Sequence, residues 1–309
     1  MRPRVVMLTC LAVSVVVASA LLLVPATRVQ LEALTTHGKA AAANPGQSPA
    51  AKARMIAQAP PPLPILSAPG NPASVTSGSS HTIFFGWAFL DRTTKKITGS
   101  ANSVTSPNTT ESMVKAWIAS DYLRTHPSPS DAVLNELHLM IINSNDNIAQ
   151  KYYKVGGGNA DMTRMIKTCG LTHTTIKSGW WAETAMPPQD AVKYGECVAD
   201  GTAAGKKWTS WVLDQMRHVQ GTVAQNNPKD VEVQGGHWGI IDGLPANLVA
   251  TTSIKNGWTD YGGSWHVNCL AINPAWVLAV EMRTNTDSLQ TAADVCAHVA
   301  GQLTVTPEI

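Results

Sequence analysis

Ser112 is followed one helical turn later by Lys115, in the stretch Asn108-Thr109-Thr110-Glu111-Ser112-Met113-Val114-Lys115-Ala116-Trp117. A hydroxyl and an amine at i and i+3 share one helix face. A lysine held neutral by burial and a nearby cation can take the serine proton and turn the oxygen into a nucleophile. Asn108, with Glu111 three residues on, reads as a helix N-cap. Ser112 then falls in the first turn, where free N–H groups and the helix dipole favour negative charge. A serine and a lysine at this spacing also mark ordinary helix starts, so the pair alone decides little.

Two further clusters matter because of where they fall. Ile141-Ile142-Asn143-Ser144-Asn145-Asp146-Asn147-Ile148-Ala149 is a polar turn running into a helix. Thr252-Ser253-Ile254-Lys255-Asn256-Gly257-Trp258 places a lysine on a predicted strand with a glycine two residues on. Gly257 permits close backbone approach, and the N–H after it can face an oxyanion. Taken singly, the first cluster reads as a helix cap and the second as a strand ending in a turn.

The elements that must hold these residues follow from periodicity. Residues 83–90 and 96–101 read as two strands joined by the turn Asp91-Arg92-Thr93-Thr94. Met113, Trp117 and Ser120 mark one helix face, and Val133, Leu137, Met140 and Ile141 a second. Further helices are predicted over 146–154, 159–168, 188–200 and 204–217, then strands over 251–258, 264–272 and 276–283, and a last helix over 287–303. Strands first, helices in the middle, strands and a helix last make an α+β domain whose two ends feed one antiparallel sheet.

Composition bounds the setting. Arg2 and Arg4 precede an apolar run from Val5 to Val24, as long as a bilayer core is thick, so residues 1–26 are expected to be a signal peptide or signal anchor. Residues 27–80, rich in Ala, Pro, Gly, Ser and Asn, read as a disordered linker, and residues 81–309 as the folded domain. The body of the protein is therefore expected outside the cytoplasm, secreted or anchored by its N-terminal segment alone. Beyond Cys10 the chain has Cys169, Cys197, Cys269 and Cys296, an even number able to pair in an oxidising compartment. The formal charge of +2, without a basic stripe, argues against a nucleic-acid partner. Nine histidines without H-E-x-x-H, and cysteines without C-x-x-C, point to no metal and no other cofactor. Ten tryptophans against three phenylalanines are assigned to packing.

The three clusters in this order form the set S-x-x-K, S-D-N-like, K-x-G of class A β-lactamases and penicillin-binding proteins. The chain resembles that family across most of residues 81–305. The separation of 108 residues between Asn147 and Lys255, and Pro187-Pro188-Gln189-Asp190 at a helix start, are similar to it as well. The resemblance implies a five-stranded antiparallel sheet flanked by helices, with a helical subdomain. It implies Ser112 as nucleophile of an acyl-enzyme, Lys115 as general base, and Lys255 and Asn147 binding substrate. The N–H groups of Ser112 and of Trp258, after Gly257, would form the oxyanion hole. It also implies disulfides Cys169–Cys197 and Cys269–Cys296. The substrate would be a β-lactam or a D-Ala-D-Ala-type peptidoglycan peptide, handled by a monomer.

Three departures qualify that picture. Ser144-Asn145-Asp146-Asn147 fits the second motif in two ways: aligning Asp146 and Asn147 puts Asn145 in the serine's place, whereas a one-residue insertion keeps Ser144. Ser144 is preferred, because an amide cannot relay a proton as a hydroxyl does. Only 35 residues separate Ser112 from Asn147, so the cleft should be more open. No glutamate lies between Leu137 and Ala182, which leaves Glu183 as the nearby deacylation base. Slow deacylation is expected in consequence. The competing reading is a catalytically weak or inactive cell-wall binding module that keeps the cleft.

Overall fold

The computed structural model describes residues 65–226, 230–286 and 288–306. The expected signal or anchor at residues 1–26, and the proposed linker up to residue 64, lie outside the described residues. Among the described residues no helix is long and apolar enough to cross a membrane.

The chain opens with β1 (Ile65–Ser67), β2 (Thr82–Asp91), β3 (Ile97–Gly99) and the short β4 (Asn108–Thr109). Four helices follow: α1 (Lys115–Thr125), α2 (Asp131–Ile142), α3 (Asp146–Val155) and α4 (Asn159–Cys169). Then come β5 (Ala185–Met186), α5 (Pro188–Ala199), α6 (Thr209–Arg217) and α7 (Ala246–Val249). The C-terminal part holds β6 (Ser253–Ile254), β7 (Gly257–Asp260), β8 (Trp265–Ile272), β9 (Trp276–Thr284), α8 (Leu289–Gly301) and β10 (Thr304–Thr306).

The main sheet is antiparallel and runs β3-β2-β9-β8, with β6 and β7 both paired to β8 on its far edge. Its five positions match the expected α+β layout, with the fifth strand broken at Lys255-Asn256. β9 lies almost wholly inside because helices cover both faces of the sheet. Gly195 of α5 shows how tightly one face is covered: a Cβ there would stand 2.6 Å from Val277 Cγ1 and 3.2 Å from Leu270 Cδ1. Cys269, next to Leu270 and so on the opposite face, is bonded to Cys296 of α8. The second disulfide, Cys169–Cys197, ties the end of α4 to α5.

On the α5 side, α1 runs through the middle of the helical layer, with Lys115 to Asp121 buried without interruption. Trp87, Trp117, Trp181 and Trp276 are among the largest fully buried side chains. Packing therefore accounts for much of the tryptophan content.

Three local expectations need correction. The fold begins before residue 81, because β1 pairs with β10 and residues 65–67 close a two-stranded ribbon at the chain's C-terminal end. The sixth helix starts at Thr209 rather than at residue 204. Asn108 caps no helix. It sits buried in β4, where Nδ2 donates to Val267 O, Asn268 Oδ1 and Met282 O at 3.0–3.2 Å, pinning the chain to the sheet.

Candidate active site

Once Asn108 has fixed the strand, the chain turns through a 3-10 segment, Glu111–Val114, that leads directly into α1. Ser112 lies in this segment, 5% exposed, at the wall of a cleft of about 480 Å³. The edge strand presses on the same turn. A Cβ on Gly257 would stand 2.3 Å from Thr110 O and 2.8 Å from the backbone nitrogens of Ser112 and Met113. Only glycine brings the two backbones this close. Trp258, next along β7, lines the cleft and donates from Nε1 to Asn226 Oδ1 at 3.2 Å.

The second cluster reaches the same place by a backbone device. Ser144, between α2 and α3, takes the left-handed conformation (φ 58°). Asn145 then caps α3, its side chain accepting from Ile148 N at 2.9 Å. Ser144 Oγ accepts from Lys115 Nζ at 3.1 Å and from Lys255 Nζ at 3.0 Å. The serine hydroxyl thus bridges two lysines, and Asn145 is spent on the helix.

Asp146, rather than Asn147, takes the inward-facing place. Asn147 does not reach the cleft; it is exposed, and its Nδ2 donates to Glu232 Oε1 at 3.3 Å. Asp146 faces inward instead, with Oδ1 2.5 Å from Lys115 Nζ and Oδ2 accepting from Gln234 Nε2 at 2.9 Å. Successive residues on a helix are turned about 100° apart, so only one can face Lys115. The register that keeps Ser144 between the lysines assigns that face to Asp146.

Charge in this site is set by burial. Lys115 and Lys255 are both fully buried. Desolvation pulls the Lys115 ammonium down to about 8, with the Asp146 carboxylate pulling the other way. Lys255 is pushed well below the usual lysine range, by burial first and then by Lys115. The ring of Trp181 stands 5.1 Å from Lys115 Nζ and covers it.

Glu183 lines the cleft, but its carboxylate is paired with the exposed Lys177. Glu111, whose sequence position suggested only a capping partner, is 3% exposed and lines the cleft beside Ser112. Asp146, Glu111 and Gln234, with Thr259 and Tyr261, are among the cleft residues that sequence reasoning missed. Among the described residues no three His, Cys, Asp or Glu side chains gather closely enough to hold a metal ion.

No family model matches this chain. Among solved structures it is similar to a class A β-lactamase from Mycobacterium abscessus, with a TM-score of 0.57 at 12% identity, covering 74% of this chain and 96% of that one. A β-lactamase from Desulfarculus baarsii DSM 2075 gives 0.55 at 15% identity, covering 74% and 93%. An ancestral class A β-lactamase gives 0.54 at 15% identity, covering 74% and 95%. The fold is therefore that of the class A β-lactamases. In sequence, the chain is 30% identical over 222 residues to "Putative lipoprotein LppW" of Mycobacterium tuberculosis and of Mycobacterium bovis. The match takes in 68% of this chain and 65% of the relatives' length, so the chain spans less than two thirds of them.

Proposed function

We propose that the protein is an extracytoplasmic serine acyl-transfer hydrolase, acting on β-lactams or D-Ala-D-Ala-type peptidoglycan peptides through an acyl-enzyme on Ser112. The observation that carries this reading is the convergence of Lys115, Ser144 and Lys255 at hydrogen-bond distance beside a nucleophile-bearing turn. Buried cations need a reason to stay, because desolvating them costs several kcal/mol each. Proton transfer supplies one. Lys115, at about 8, is neutral in roughly one molecule in ten at pH 7 and can then take the Ser112 proton. Ser144, touching both lysines, can pass that proton to the leaving nitrogen, while Lys255 keeps positive charge near the substrate. Gly257 presses on the Ser112 backbone, which would bring the N–H of Trp258, with that of Ser112, to bear on the oxyanion. The two disulfides suit an oxidising compartment.

One observation favours the second reading, a cell-wall binding module with little activity. Asp146 at 2.5 Å from Lys115 favours the ammonium form of that lysine, and an ammonium cannot accept a proton. A fluorescent penicillin separates the two. The enzyme reading expects a covalent label on the wild-type chain, blocked by prior β-lactam and lost in Ser112→Ala. Labelling that survives Ser112→Ala, or none on the folded wild type, contradicts it.

A further inference from the structure

The cleft contains an ionisable group that acylation does not use. Glu111 directly precedes Ser112, yet its carboxyl is almost fully buried at the cleft wall. Two hydroxyls hold it from the edge strand and the turn after it: Thr259 Oγ1 donates to Oε2 at 2.8 Å, and Tyr261 OH donates to Oε1 at 3.0 Å. Both donors follow Gly257, so the strand that presses on the Ser112 turn also aims the Glu111 side chain. The backbone is aimed as well. Glu111 has φ 48°, a left-handed conformation that costs a non-glycine residue about 1 kcal/mol or more and persists only where its surroundings enforce it.

Burial raises the basicity of this carboxylate, the three hydroxyls around it (Thr109, Thr259, Tyr261) oppose the rise, and nearby Glu183 adds to it. Glu183 itself is paired with Lys177 and about a quarter exposed. Of the two glutamates, Glu111 is the one built as a base.

We propose that Glu111 is the general base that activates water on the Ser112 acyl-ester. This rests on the acyl-enzyme reading above. Water gives one proton to a Glu111 carboxylate oxygen as its own oxygen bonds the acyl carbon, and the carbonyl electron pair moves onto the oxygen facing the Ser112 and Trp258 amides. Collapse breaks the bond between the acyl carbon and Ser112 Oγ. That oxygen takes the proton back from Glu111, and the acid product leaves with water's second proton. The role accounts for a buried carboxyl beside the nucleophile in a chain with no glutamate between Leu137 and Ala182.

The test treats the full-length chain with benzylpenicillin, removes the excess, and follows adduct decay by intact mass. Glu111→Gln should acquire the adduct within a few-fold of the wild-type rate and lose it about a hundredfold or more slowly. Tyr261→Phe, which keeps the carboxyl but removes one donor, should slow decay alone and by less. Glu183→Gln should slow decay less than Glu111→Gln. Decay of the Glu111→Gln adduct at the wild-type rate overturns the role. Equal loss of acylation and decay would mark Glu111 as structural and overturn it too. If Glu111→Gln does not fold, unchanged decay in Tyr261→Phe does the same. A wild-type adduct that never decays removes the base but leaves the acyl-enzyme standing. A wild type never acylated removes both, and shows this before decay is measured.

Discussion

The floor and the wall of the cleft handle buried charge in opposite ways. The floor is cationic, its charges lying just beneath the cleft surface: Lys115 and Lys255 are fully buried, share Ser144 Oγ, and are held below the usual lysine range. The wall is acidic and aromatic, with Glu111, Glu183 and Asp260 beside Trp180, Trp258 and Tyr261. On the floor each cation has a polar partner that keeps the cost of burial tolerable. On the wall the carboxylates are either solvated, as Glu183 partly is, or clasped by hydroxyls, as Glu111 is. The difference teaches that Asp146 serves both as partner and as brake. It makes Lys115 affordable in the interior, and by the same charge it delays the loss of the lysine's proton.

The largest expected effect tests the floor. Ser144→Ala should slow β-lactam acylation about a hundredfold or more, since it removes the hydroxyl between the two lysines. Stopped-flow acylation that changes less than fivefold would make Ser144 a structural residue.

Glu281 shows what burial does without a partner. It lies 1% exposed on β9, and neither carboxyl oxygen has a hydrogen-bond partner among the described residues. Burial pushes its carboxyl well above the usual range, opposed only in part by the nearby Asn108 backbone N–H and then by Arg283. Its folded-state value therefore exceeds its unfolded one. The contribution to stability is fully present below about pH 4 and is lost as pH rises toward the folded value, by about 1.4 kcal/mol per pH unit. Denaturant melts of Glu281→Gln across pH 5–8 should show a flatter profile than wild type. Parallel profiles would contradict the assignment.

Asp146→Asn releases the brake. Removing the carboxylate lowers the Lys115 value further, so the rising limb of acylation against pH should move to lower pH. At pH 7 the gain is at most about tenfold, because roughly one lysine in ten is already neutral. A limb that stays in place would mean that Lys115 is not the group titrating. The smallest effect is on the neighbouring cap: Asn145→Ala should cost about 1 kcal/mol of stability and leave acylation nearly unchanged, in thermal melts read beside the same kinetics.

The floor was legible in the sequence because its residues sit at short, fixed spacings. Ser112 and Lys115 are one turn apart, and Lys255 and Gly257 bracket a strand break. The sheet was legible from apolar runs such as residues 276–283, whose length and near-continuous apolar character mark a strand buried on both faces. Long-range pairings were not. Nothing local in Ile65–Ser67 reveals a partner at Thr304–Thr306, and nothing in Asn108 distinguishes a cap from a pin across β8 and β9. The exchange of Asp146 for Asn147 turned on a left-handed serine, a conformation that sequence does not announce. Glu111 was hidden for a related reason: its burial is made by Thr259 and Tyr261, about 150 residues away along the chain.

The most direct test of the account is to locate the bond it requires. After reaction with benzylpenicillin and tryptic digestion, the peptide spanning residues 97–115 should carry the adduct, and fragmentation should place it on Ser112. It should be absent from Ser112→Ala under the same conditions. An adduct on any other residue, or a folded wild-type chain that stays unmodified at saturating β-lactam, would contradict the claim that this floor performs serine acyl transfer.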